Sequence, residues 1–599
     1  MCSTLDEKIK EWLSWDKNPT TKSYIESLSK QDKRDVLSDL LLKRLSFGTA
    51  GLRGKMGAGY SAMNDLVIIQ TGQGLLAYLE ENEKTLLENN GVVVGYDGRH
   101  NSRRWAELTA TIFINKGYKV RLFSKVNPTP LVAFATKMYS CAIGVMVTAS
   151  HNPKEDNGYK VYCSLGTQII SPTDKQIQSS ILKNLPPLDS SWDTSIVKDN
   201  PLCIDPLEEV FSSYLCKLQG IILPEYLENN KKLNKLFTYT AMHGVGYYYV
   251  DKVFEKIGIR IIPVSEQKDP NPDFPTVKFP NPEEGKSALD LSIKTANENN
   301  STIILANDPD ADRFAAAEKN PKTGEWKVFT GNELGALLGW WLLHCYKRKN
   351  PGPLKDIYMI SSTVSSMILK SMSRIEGFNF VETLTGFKWM GNKAFELMNE
   401  NKQVLFAFEE SIGYMCDQTV LDKDGVSAAF HFATLASFLY SNNQTLADKL
   451  SEIYSQYGQH LSSQSYYLCY DPDVINSIFT KIRNFTNNNQ YPTGILNNKY
   501  KITGVRDLTT GYDSNQPDGK AILPVDKKSH MITFNFENGL VCTLRTSGTE
   551  PKIKYYTELC ASPDIKDVEG VKNTLCEMVA AICNEFLQPE LNKLIPKAD

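Results

Sequence analysis

The chain has 599 residues, of which 41% are hydrophobic and 23% charged, and its formal net charge is −3. This length predicts roughly three to five domains of about 100–200 residues each. The balanced charge argues against a nucleic-acid partner, and no run reaches the ~18 apolar residues of a membrane helix. Because the amino terminus is polar and resembles no secretory signal, we expect a cytoplasmic protein whose twelve scattered cysteines are reduced and buried.

Strand-like runs alternate with helix-length amphipathic stretches over most of the chain. "GVVVGYDGR" predicts a strand and a turn, followed by a helix over about 102–115 and a strand in "YKVRLF". The scheme recurs at "KLFTYTAMHGVG", "STIILANDPDADR" and "DIYMISSTVSS". Repeated β-loop-α-β units predict mostly parallel sheets, which bind ligands at the carboxyl ends of their strands.

Later segments change this pattern. The proline-rich stretch 268–286 predicts an extended surface connection, because proline disfavours helix. After about residue 456, "HMITFNFENGLVCTLRTSG" predicts a hairpin that turns at 537–539, and "VKNTLCEMVAAICNEFL" a final helix. We expect three α/β domains with mixed, mostly parallel sheets and one α+β domain, over residues 1–205, 206–325, 326–455 and 456–599.

The stretch "GVMVTASHNPKEDNGYK" begins as a buried strand and then breaks into a polar loop around Ser150. The loop is either a simple turn or the site of a reacting serine. The G-x-S-x-G elbow of serine hydrolases is absent. Adjacency also argues against His151 as a base for Ser150, because neighbouring side chains of an extended chain point apart.

Asp308, Asp310 and Asp312 alternate in "NDPDADR", directly after an apolar strand and before Arg313. Three carboxylates so close repel one another, and a divalent cation would relieve that repulsion. Oxygen-only ligands favour Mg²⁺, which usually also takes a phosphate oxygen. The alternative is a solvated acidic turn.

Four further loops carry candidate groups for binding phosphate or sugar. "LRTSGTEPKIKYY" combines hydroxyls, a glycine amide and cations, which suit a phosphate dianion, although a capped turn with surface lysines fits these residues equally well. The other three loops are weak evidence when taken singly. The candidates are Arg53 in "SFGTAGLRGKMG", Lys388 in "LTGFKWMGN", Glu409, Glu410 and Ser411 in "FEESIGY", and Arg545, Thr546, Ser547, Gly548, Thr549, Lys552 and Lys554.

A dinucleotide-binding fold is a competing interpretation near the amino terminus. "DLVIIQTGQGLLAYL" contains G-x-G-x-x-A after an apolar run, and Asp97 ends a later strand. A single short glycine match is weak evidence, however. The stretch 65–88 also fits one long amphipathic helix, which we favour.

Taken together and in order, the loops resemble those of the α-D-phosphohexomutase superfamily over nearly the whole chain. The shared motifs are "GTAGLRG", "TASHNPKEDNGYK", "NDPDADR", "FEESIGY" and "RTSGTEP". Details such as "KFPNPEEGK", "TLTGFKWMGN" and "VLDKDGVSAA" resemble its phosphopentomutase and glucose-1,6-bisphosphate synthase branch. The resemblance implies four domains around a central cleft, each contributing one motif loop.

The resemblance also implies a role for each matching residue. Ser150 matches the serine that is phosphorylated in the active enzyme, and the three aspartates match the Mg²⁺ ligands, with the phosphoserine completing the site. Glu409 and Ser411 match the contacts to sugar hydroxyls. The basic residues Arg53, Lys160 and Lys388 match groups near the reacting phosphate, and His151 is counted with them as catalytic. The remaining substrate-binding residues are Arg313 and the phosphate clamp of Arg545, Ser547, Gly548, Thr549 and Lys554.

One departure from the superfamily pattern concerns the clamp. Many members have arginine where this chain has Lys554. Lysine cannot form the bidentate fork to phosphate, so we expect a looser clamp or one suited to another sugar.

Three functions remain open on the sequence. A mutase would interconvert ribose 1- and 5-phosphate, or glucose 1- and 6-phosphate, with glucose 1,6-bisphosphate or ribose 1,5-bisphosphate as activator. A synthase would make glucose 1,6-bisphosphate from 1,3-bisphosphoglycerate, and a third possibility is a catalytically silent sugar-phosphate-binding protein. We favour the mutase, and we expect a monomer or weak dimer whose partners are small sugar phosphates, with no nucleic-acid or membrane partner.

Overall fold

The computed structural model describes residues 4–49, 51–233, 236–284, 286–485, 490–547, 551–565 and 567–597. The chain divides into two compact units. The first comprises 1–334, 341–352 and 386–446, and the second comprises 335–340, 353–385 and 447–599. Within the described ranges, no helix is both long enough and apolar enough to span a bilayer.

The first unit contains a six-stranded mixed sheet. Val92–Tyr96 lies near its middle, parallel to Ile143–Val147 on one side and to Val120–Leu122 on the other. Both of its faces are covered, and Val92, Val93 and Val94 have no exposed surface, as their uninterrupted apolar run predicts. In spatial order the strands are Leu52–Lys55, Asp156–Cys163, Ile143–Val147, Val92–Tyr96, Val120–Leu122 and Cys203–Ile204.

Helices cover this sheet and extend it toward the amino terminus. The helix Leu5–Trp15 begins at Thr4, whose side chain forms a capping box with Glu7. The helix Ser102–Asn115 matches its predicted range. The remaining helices of this region are Pro19–Lys30, Arg34–Leu41, Asp65–Asn82, Lys84–Asn90, Thr129–Met138 and Thr173–Lys183, with short 3₁₀ turns at Asp189–Trp192 and Thr194–Val197.

The glycines of "TGQGLLAYL" lie inside the helix Asp65–Asn82, not in a loop after a strand. Asn64 caps this helix by accepting a hydrogen bond from the Val67 amide at 3.0 Å. The dinucleotide interpretation is therefore wrong, and the long-helix prediction is confirmed, although the helix breaks at Glu83.

A second, five-stranded mixed sheet also belongs to the first unit. Phe237–Thr240 runs parallel to Ile261–Pro263 and to Ile303–Asn307, which continues into an antiparallel hairpin. Its strands, in spatial order, are Trp326–Val328, Phe314–Lys319, Ile303–Asn307, Phe237–Thr240 and Ile261–Pro263. The helices are Leu207–Ile221, Pro224–Lys232, Gly246–Ile257 and Lys286–Glu298. The proline-rich stretch before the last of these helices contains the 3₁₀ turn Pro282–Glu284.

The rest of the first unit is built around an antiparallel strand pair, Gln403–Glu409 with Gly413–Met415. The helix Phe387–Asn399 precedes this pair, and the almost wholly buried helix Gly425–Ser441 follows it. The helix Gly331–Lys349 contributes residues to both units.

The second unit is dominated by an antiparallel sheet. The predicted hairpin is confirmed: Met531–Phe536 pairs with Leu540–Thr546, and Gly539 adopts φ 89°, a conformation that glycine tolerates best. The other strands are Gln459–Leu468, Gly494–Ile495, Tyr500–Asp507, Tyr512–Asp513, Lys552–Ala561 and Ile595–Pro596. The helices are Leu446–Tyr457, Pro472–Arg483 and Val568–Ile582, the last followed by a π-turn at Cys583–Leu587.

A parallel strand pair also belongs to the second unit, Ile357–Ser362 with Asn379–Thr383, joined by the helix Ile368–Glu376. The α/β architecture with mixed sheets is therefore confirmed. The four domain boundaries stay a prediction.

The cysteines that the structure describes are all free thiols. Cys216 and Cys576 are exposed, so the expectation that the cysteines are buried is wrong for these two. Both lie on amphipathic helices, Leu207–Ile221 and Val568–Ile582, on faces that turn away from the core.

Candidate active site

Ser150 stands in the loop that follows the strand Ile143–Val147. Its backbone is left-handed, with φ 54°, and only 4% of the residue is exposed. The Ser150 Oγ donates a hydrogen bond to Asp308 Oδ2 at 2.8 Å. Left-handed conformations in residues other than glycine cost energy and concentrate at functional sites. The loop therefore holds this hydroxyl in one position against a carboxylate.

His151 does reach its neighbour, contrary to the argument from an extended chain. The Nδ1 of His151 lies 3.3 Å from Ser150 Oγ. Neighbouring side chains point apart only in an extended chain. Here the positive φ of Ser150 turns the chain and brings the two side chains together. Burial and the nearby cations Arg313 and Arg53 hold the pKa of His151 well below its ordinary value, so this imidazole is neutral at physiological pH.

The three aspartates follow the strand Ile303–Asn307, and none has exposed surface. Their carboxylates converge, with one oxygen from each lying within 4.8 Å of the others. Burial and the charges of its two neighbours raise the pKa of Asp308 well above its ordinary value. Burial also opposes ionisation of Asp310, but Lys160 and the Thr129 hydroxyl outweigh it and lower that pKa.

The aspartate cluster fits a divalent cation. The Oδ1 atoms of Asp310 and Asp312 are buried, and within the described part of the chain neither accepts a hydrogen bond. Unsatisfied buried carboxylate oxygens are costly, and a hard cation with oxygen ligands would satisfy both. The Ser150 hydroxyl on Asp308 lies at the edge of the same cluster.

Two buried lysines balance the charge of the cluster. Lys160 donates to Asp310 Oδ2 at 2.6 Å and to Asp312 Oδ2 at 2.8 Å. Lys423 lies 3.3 Å from the same oxygen of Asp312. Burial disfavours both ammonium groups, but the aspartates outweigh it and raise each pKa, so both lysines are charged. Sequence reasoning missed Lys423, although "VLDKDG" carries it.

Arg313 connects the cluster to the predicted sugar-binding loop. Its backbone amide donates to Asp308 Oδ1 at 2.9 Å, and its guanidinium donates to the carbonyl of Ser411 at 2.5 Å. In that loop, Glu409 is buried and accepts from the Gly386 amide at 3.2 Å. Burial raises the pKa of Glu409.

Arg53 and Lys388 contact other polar groups of the first unit. Arg53 is exposed and donates to the Asn152 side-chain oxygen at 3.3 Å, which brings it to the Ser150 loop. Lys388 donates a short hydrogen bond to Thr49 Oγ1. The first unit thus brings together Ser150, His151, the aspartates, Lys160 and Arg53, with Arg313 linking them to the loop of Glu409 and Ser411.

The predicted phosphate clamp lies in the second unit. Arg545 and Lys554 are direct partners on the antiparallel strands Leu540–Thr546 and Lys552–Ala561. Arg545 donates to Thr385 Oγ1 at 2.6 Å. Ser547 is described, whereas Gly548 and Thr549 lie outside the described residues.

Arg99 holds the backbone of the serine loop, and sequence reasoning did not identify it. Its guanidinium lies 3.2 Å from Asp97, which also accepts hydrogen bonds from Thr148 and Ser102. The same guanidinium donates to four loop carbonyls, at 2.6–3.1 Å, those of Ser150, Asn152, Pro153 and Asp156. Val92–Tyr96 and Ile143–Val147 are parallel neighbours, so "YDGR" necessarily emerges beside the serine loop.

The Arg99→Met variant is expected to be destabilised by about 3–5 kcal/mol, because it leaves the buried Asp97 carboxylate without its cation. Differential scanning calorimetry would detect this as a lower unfolding temperature. Arg103 is the matched control, since it is exposed and forms an ion pair with Glu107, four residues along the helix. The Arg103→Met variant should change stability by less than about 1 kcal/mol, and equal losses in both variants would refute a special role for Arg99.

Sequence models of one enzyme family match three consecutive parts of the chain. They are described as phosphoglucomutase/phosphomannomutase α/β/α domains I, II and III, and they match residues 44–186, 212–324 and 330–457. The chain belongs to this family. It is therefore a phosphomutase, an enzyme of the isomerase class, and the four-domain resemblance drawn from its loops leads to the same family.

Characterised relatives extend the match over the full length. Homo sapiens phosphopentomutase is 50% identical, covering 99% of this chain and 98% of its own. Homo sapiens glucose 1,6-bisphosphate synthase is also 50% identical, covering 99% and 96%. Saccharomyces cerevisiae phosphoribomutase is 40% identical over 94% of each chain.

Solved structures share the family fold at much lower identity. The Paramecium phosphoprotein parafusin, a phosphoglucomutase in its open form, is 19% identical, with a TM-score of 0.68 over 92% of this chain and 96% of its own. A phosphoglucomutase/phosphomannomutase family protein from Burkholderia thailandensis is 16% identical, with a TM-score of 0.61 over 90% and 97%. These likenesses concern the fold alone.

Proposed function

We propose that this enzyme interconverts ribose 1-phosphate and ribose 5-phosphate, and glucose 1-phosphate and glucose 6-phosphate. The observation that carries the proposal is the hydrogen bond, 2.8 Å long, from Ser150 Oγ to the buried aspartate cluster. A serine held by a loop against a cation-binding cluster suits a phosphoryl carrier. The phosphopentomutase and phosphoribomutase relatives favour pentose phosphates as the main substrates.

The reaction begins with phosphorylated Ser150. The bond between Ser150 Oγ and phosphorus breaks, and the free hydroxyl of a sugar monophosphate forms the new bond to phosphorus. The hydroxyl proton passes to a basic side chain beside the phosphate, for which His151 and Lys388 are the candidates. The departing Ser150 Oγ takes up a proton in the same step, and Lys160, which is charged, is a candidate to donate it. The sugar bisphosphate then turns around in the site and returns its other phosphate to Ser150, which restores the enzyme.

Several polar side chains of the site in the first unit have proposed tasks. Arg53 and Lys160 neutralise the charge of the transferring phosphoryl group, and Glu409 with Ser411 orients the sugar hydroxyls. We propose Mg²⁺ as the ion of the aspartate cluster; when bound, it stabilises the charge that develops on the phosphoryl oxygens. The clamp of Arg545, Ser547, Gly548, Thr549 and Lys554 stays a prediction from the resemblance.

Priming of Ser150 requires a phosphoryl donor. We propose glucose 1,6-bisphosphate or ribose 1,5-bisphosphate as this activator, because each can lose one phosphate to Ser150 and leave as a substrate. A cytoplasmic location and a monomeric or weakly dimeric state also stay proposals.

A second candidate function is synthesis of glucose 1,6-bisphosphate from an acyl phosphate such as 1,3-bisphosphoglycerate. The observation in its favour is that relatives with the two activities are equally similar to this chain, each at 50% identity. The two reactions share the phosphoserine step and differ in what phosphorylates Ser150. Such a difference can rest on a few pocket contacts.

Phosphorus NMR separates these functions in one time course. The purified enzyme is mixed with ribose 1-phosphate, Mg²⁺ and a trace of glucose 1,6-bisphosphate, and rapid appearance of ribose 5-phosphate is the expected result. If the phosphate signal does not move, 1,3-bisphosphoglycerate and glucose 1-phosphate are added, and formation of the bisphosphate would identify a synthase. If neither reaction changes the phosphorus spectrum, the proposal is refuted and a sugar-phosphate-binding protein is favoured.

A further inference from the structure

A second cluster of metal-ligand side chains lies in the second unit and is made of residues to which the catalytic proposal gives no task. The strands Gln459–Leu468 and Lys552–Ala561 are antiparallel neighbours, and their register places His460 opposite Cys560. Glu558 is two residues before Cys560, so strand geometry turns both side chains to the same face as His460. Sheet pairing alone therefore gathers an imidazole, a thiol and a carboxylate.

The three ligand atoms form a nearly equilateral triangle. His460 Nδ1 lies 3.3 Å from Glu558 Oε2 and 3.3 Å from Cys560 Sγ, and the last two atoms are also 3.3 Å apart. A tetrahedral zinc ion with bonds of about 2.0–2.3 Å separates its ligand atoms by roughly 3.3–3.7 Å. The three ligand atoms can therefore bind zinc after shifts of a few tenths of an ångström.

The surroundings also orient the ligands. The other ring nitrogen of His460, Nε2, lies 3.0 Å from Ser371 Oγ, a partner that leaves Nδ1 facing the cluster. Glu558 Oε2 accepts the Met367 amide at 2.7 Å. The side chains of His460 and Glu558 are only 2% and 8% exposed, whereas Cys560 is partly exposed.

We infer that His460, Glu558 and Cys560 form a zinc site, distinct from the catalytic cation site, with water as the fourth ligand. A thiolate with an imidazole and one carboxylate favours Zn²⁺ over the harder Mg²⁺. Binding converts the Cys560 thiol to a thiolate and releases its proton to solvent. The ion would cross-link the two strands and, through Ser371 and Met367, the helix Ile368–Glu376.

The competing interpretation is a metal-free hydrogen-bond network. In it the Cys560 thiol and the His460 ring both donate to Glu558, and no ion is needed. The two interpretations differ in the state of the sulfur, because only metal binding makes a sulfur–metal bond.

Cobalt substitution tests the inference. The chelator-treated, full-length enzyme is held in excess Mg²⁺ to occupy the aspartate cluster, and one equivalent of Co²⁺ is added. We expect a thiolate-to-cobalt charge-transfer band in the near ultraviolet, which one equivalent of Zn²⁺ abolishes. Elemental analysis of the zinc-loaded protein after gel filtration should then give about one zinc per chain.

Two variants and a control test whether the sulfur that binds the metal is that of Cys560. Cys560→Ser and His460→Gln should each lose the band and weaken zinc binding at least tenfold, with mutase activity as the check on folding. Cys576→Ser, which changes an exposed cysteine elsewhere in the unit, should behave like the wild type. Absence of the band in the wild type, or an equal band in Cys560→Ser, would overturn the inference. The wild-type measurement decides by itself if the variants do not fold.

Discussion

The Ser150→Ala enzyme is expected to lose roughly 10⁴-fold or more of its turnover, as enzymes do when their nucleophile is removed. Alanine has no oxygen to carry the phosphoryl group, and the remaining charges cannot replace that covalent step. The fold should be unaffected, because alanine and serine carry the same Cβ and meet a similar cost at the left-handed φ of 54°.

Turnover of ribose 1-phosphate and mass spectrometry of the loop peptide together check this expectation. Wild-type enzyme incubated with glucose 1,6-bisphosphate should carry a phosphate on Ser150, and the variant should carry none. Ser190, which is exposed in a 3₁₀ turn of the same unit, supplies the control variant Ser190→Ala. Turnover by Ser150→Ala at the wild-type rate would refute the phosphoserine mechanism.

The Asp310→Asn enzyme is expected to lose both its activity and its dependence on Mg²⁺, with turnover falling by roughly 10³-fold or more, as when a strong electrostatic contact is removed. The amide keeps the shape of the carboxylate but removes one negative charge from the cluster. It also replaces one of the carboxylate oxygens that would bind the cation. The residual activity should therefore respond little to added Mg²⁺.

Initial rates over a range of Mg²⁺ concentrations measure this effect, and calorimetric titration with Mg²⁺ measures binding directly. Asp189→Asn is the control, because Asp189 is exposed and forms an ion pair with Lys17 on the surface. A fully active Asp310→Asn enzyme with unchanged Mg²⁺ dependence would place the catalytic cation elsewhere.

The convergence of Ser150 and the aspartates was implied by the family resemblance, whereas the residue pattern alone indicated only that each loop could bind a ligand, because the two strands belong to different sheets. Both loops follow buried strands, and such loops carry the ligand sites of α/β proteins. The spacing of apolar residues and the residues typical of turns also predicted the helix Ser102–Asn115 and the hairpin at Gly539. These features depend on local pattern, which a single sequence contains.

Features that depend on one backbone angle or on distant partners were missed. His151 approaches Ser150 because of the positive φ of Ser150, and a serine at that position does not indicate this angle. Lys423 reaches Asp312 from a loop more than a hundred residues away, and its neighbours in the sequence do not indicate that contact. Arg99 was interpreted as the end of a turn, because its four acceptors are main-chain carbonyls and residue types do not indicate such contacts.

The contacts of Arg99 with the serine loop determine which substitutions in this loop leave them intact. Its guanidinium contacts main-chain oxygens, which every amino acid supplies, so these four contacts do not depend on which side chains the loop carries. Substitution of Lys154 or Glu155, which are exposed, therefore leaves these contacts in place.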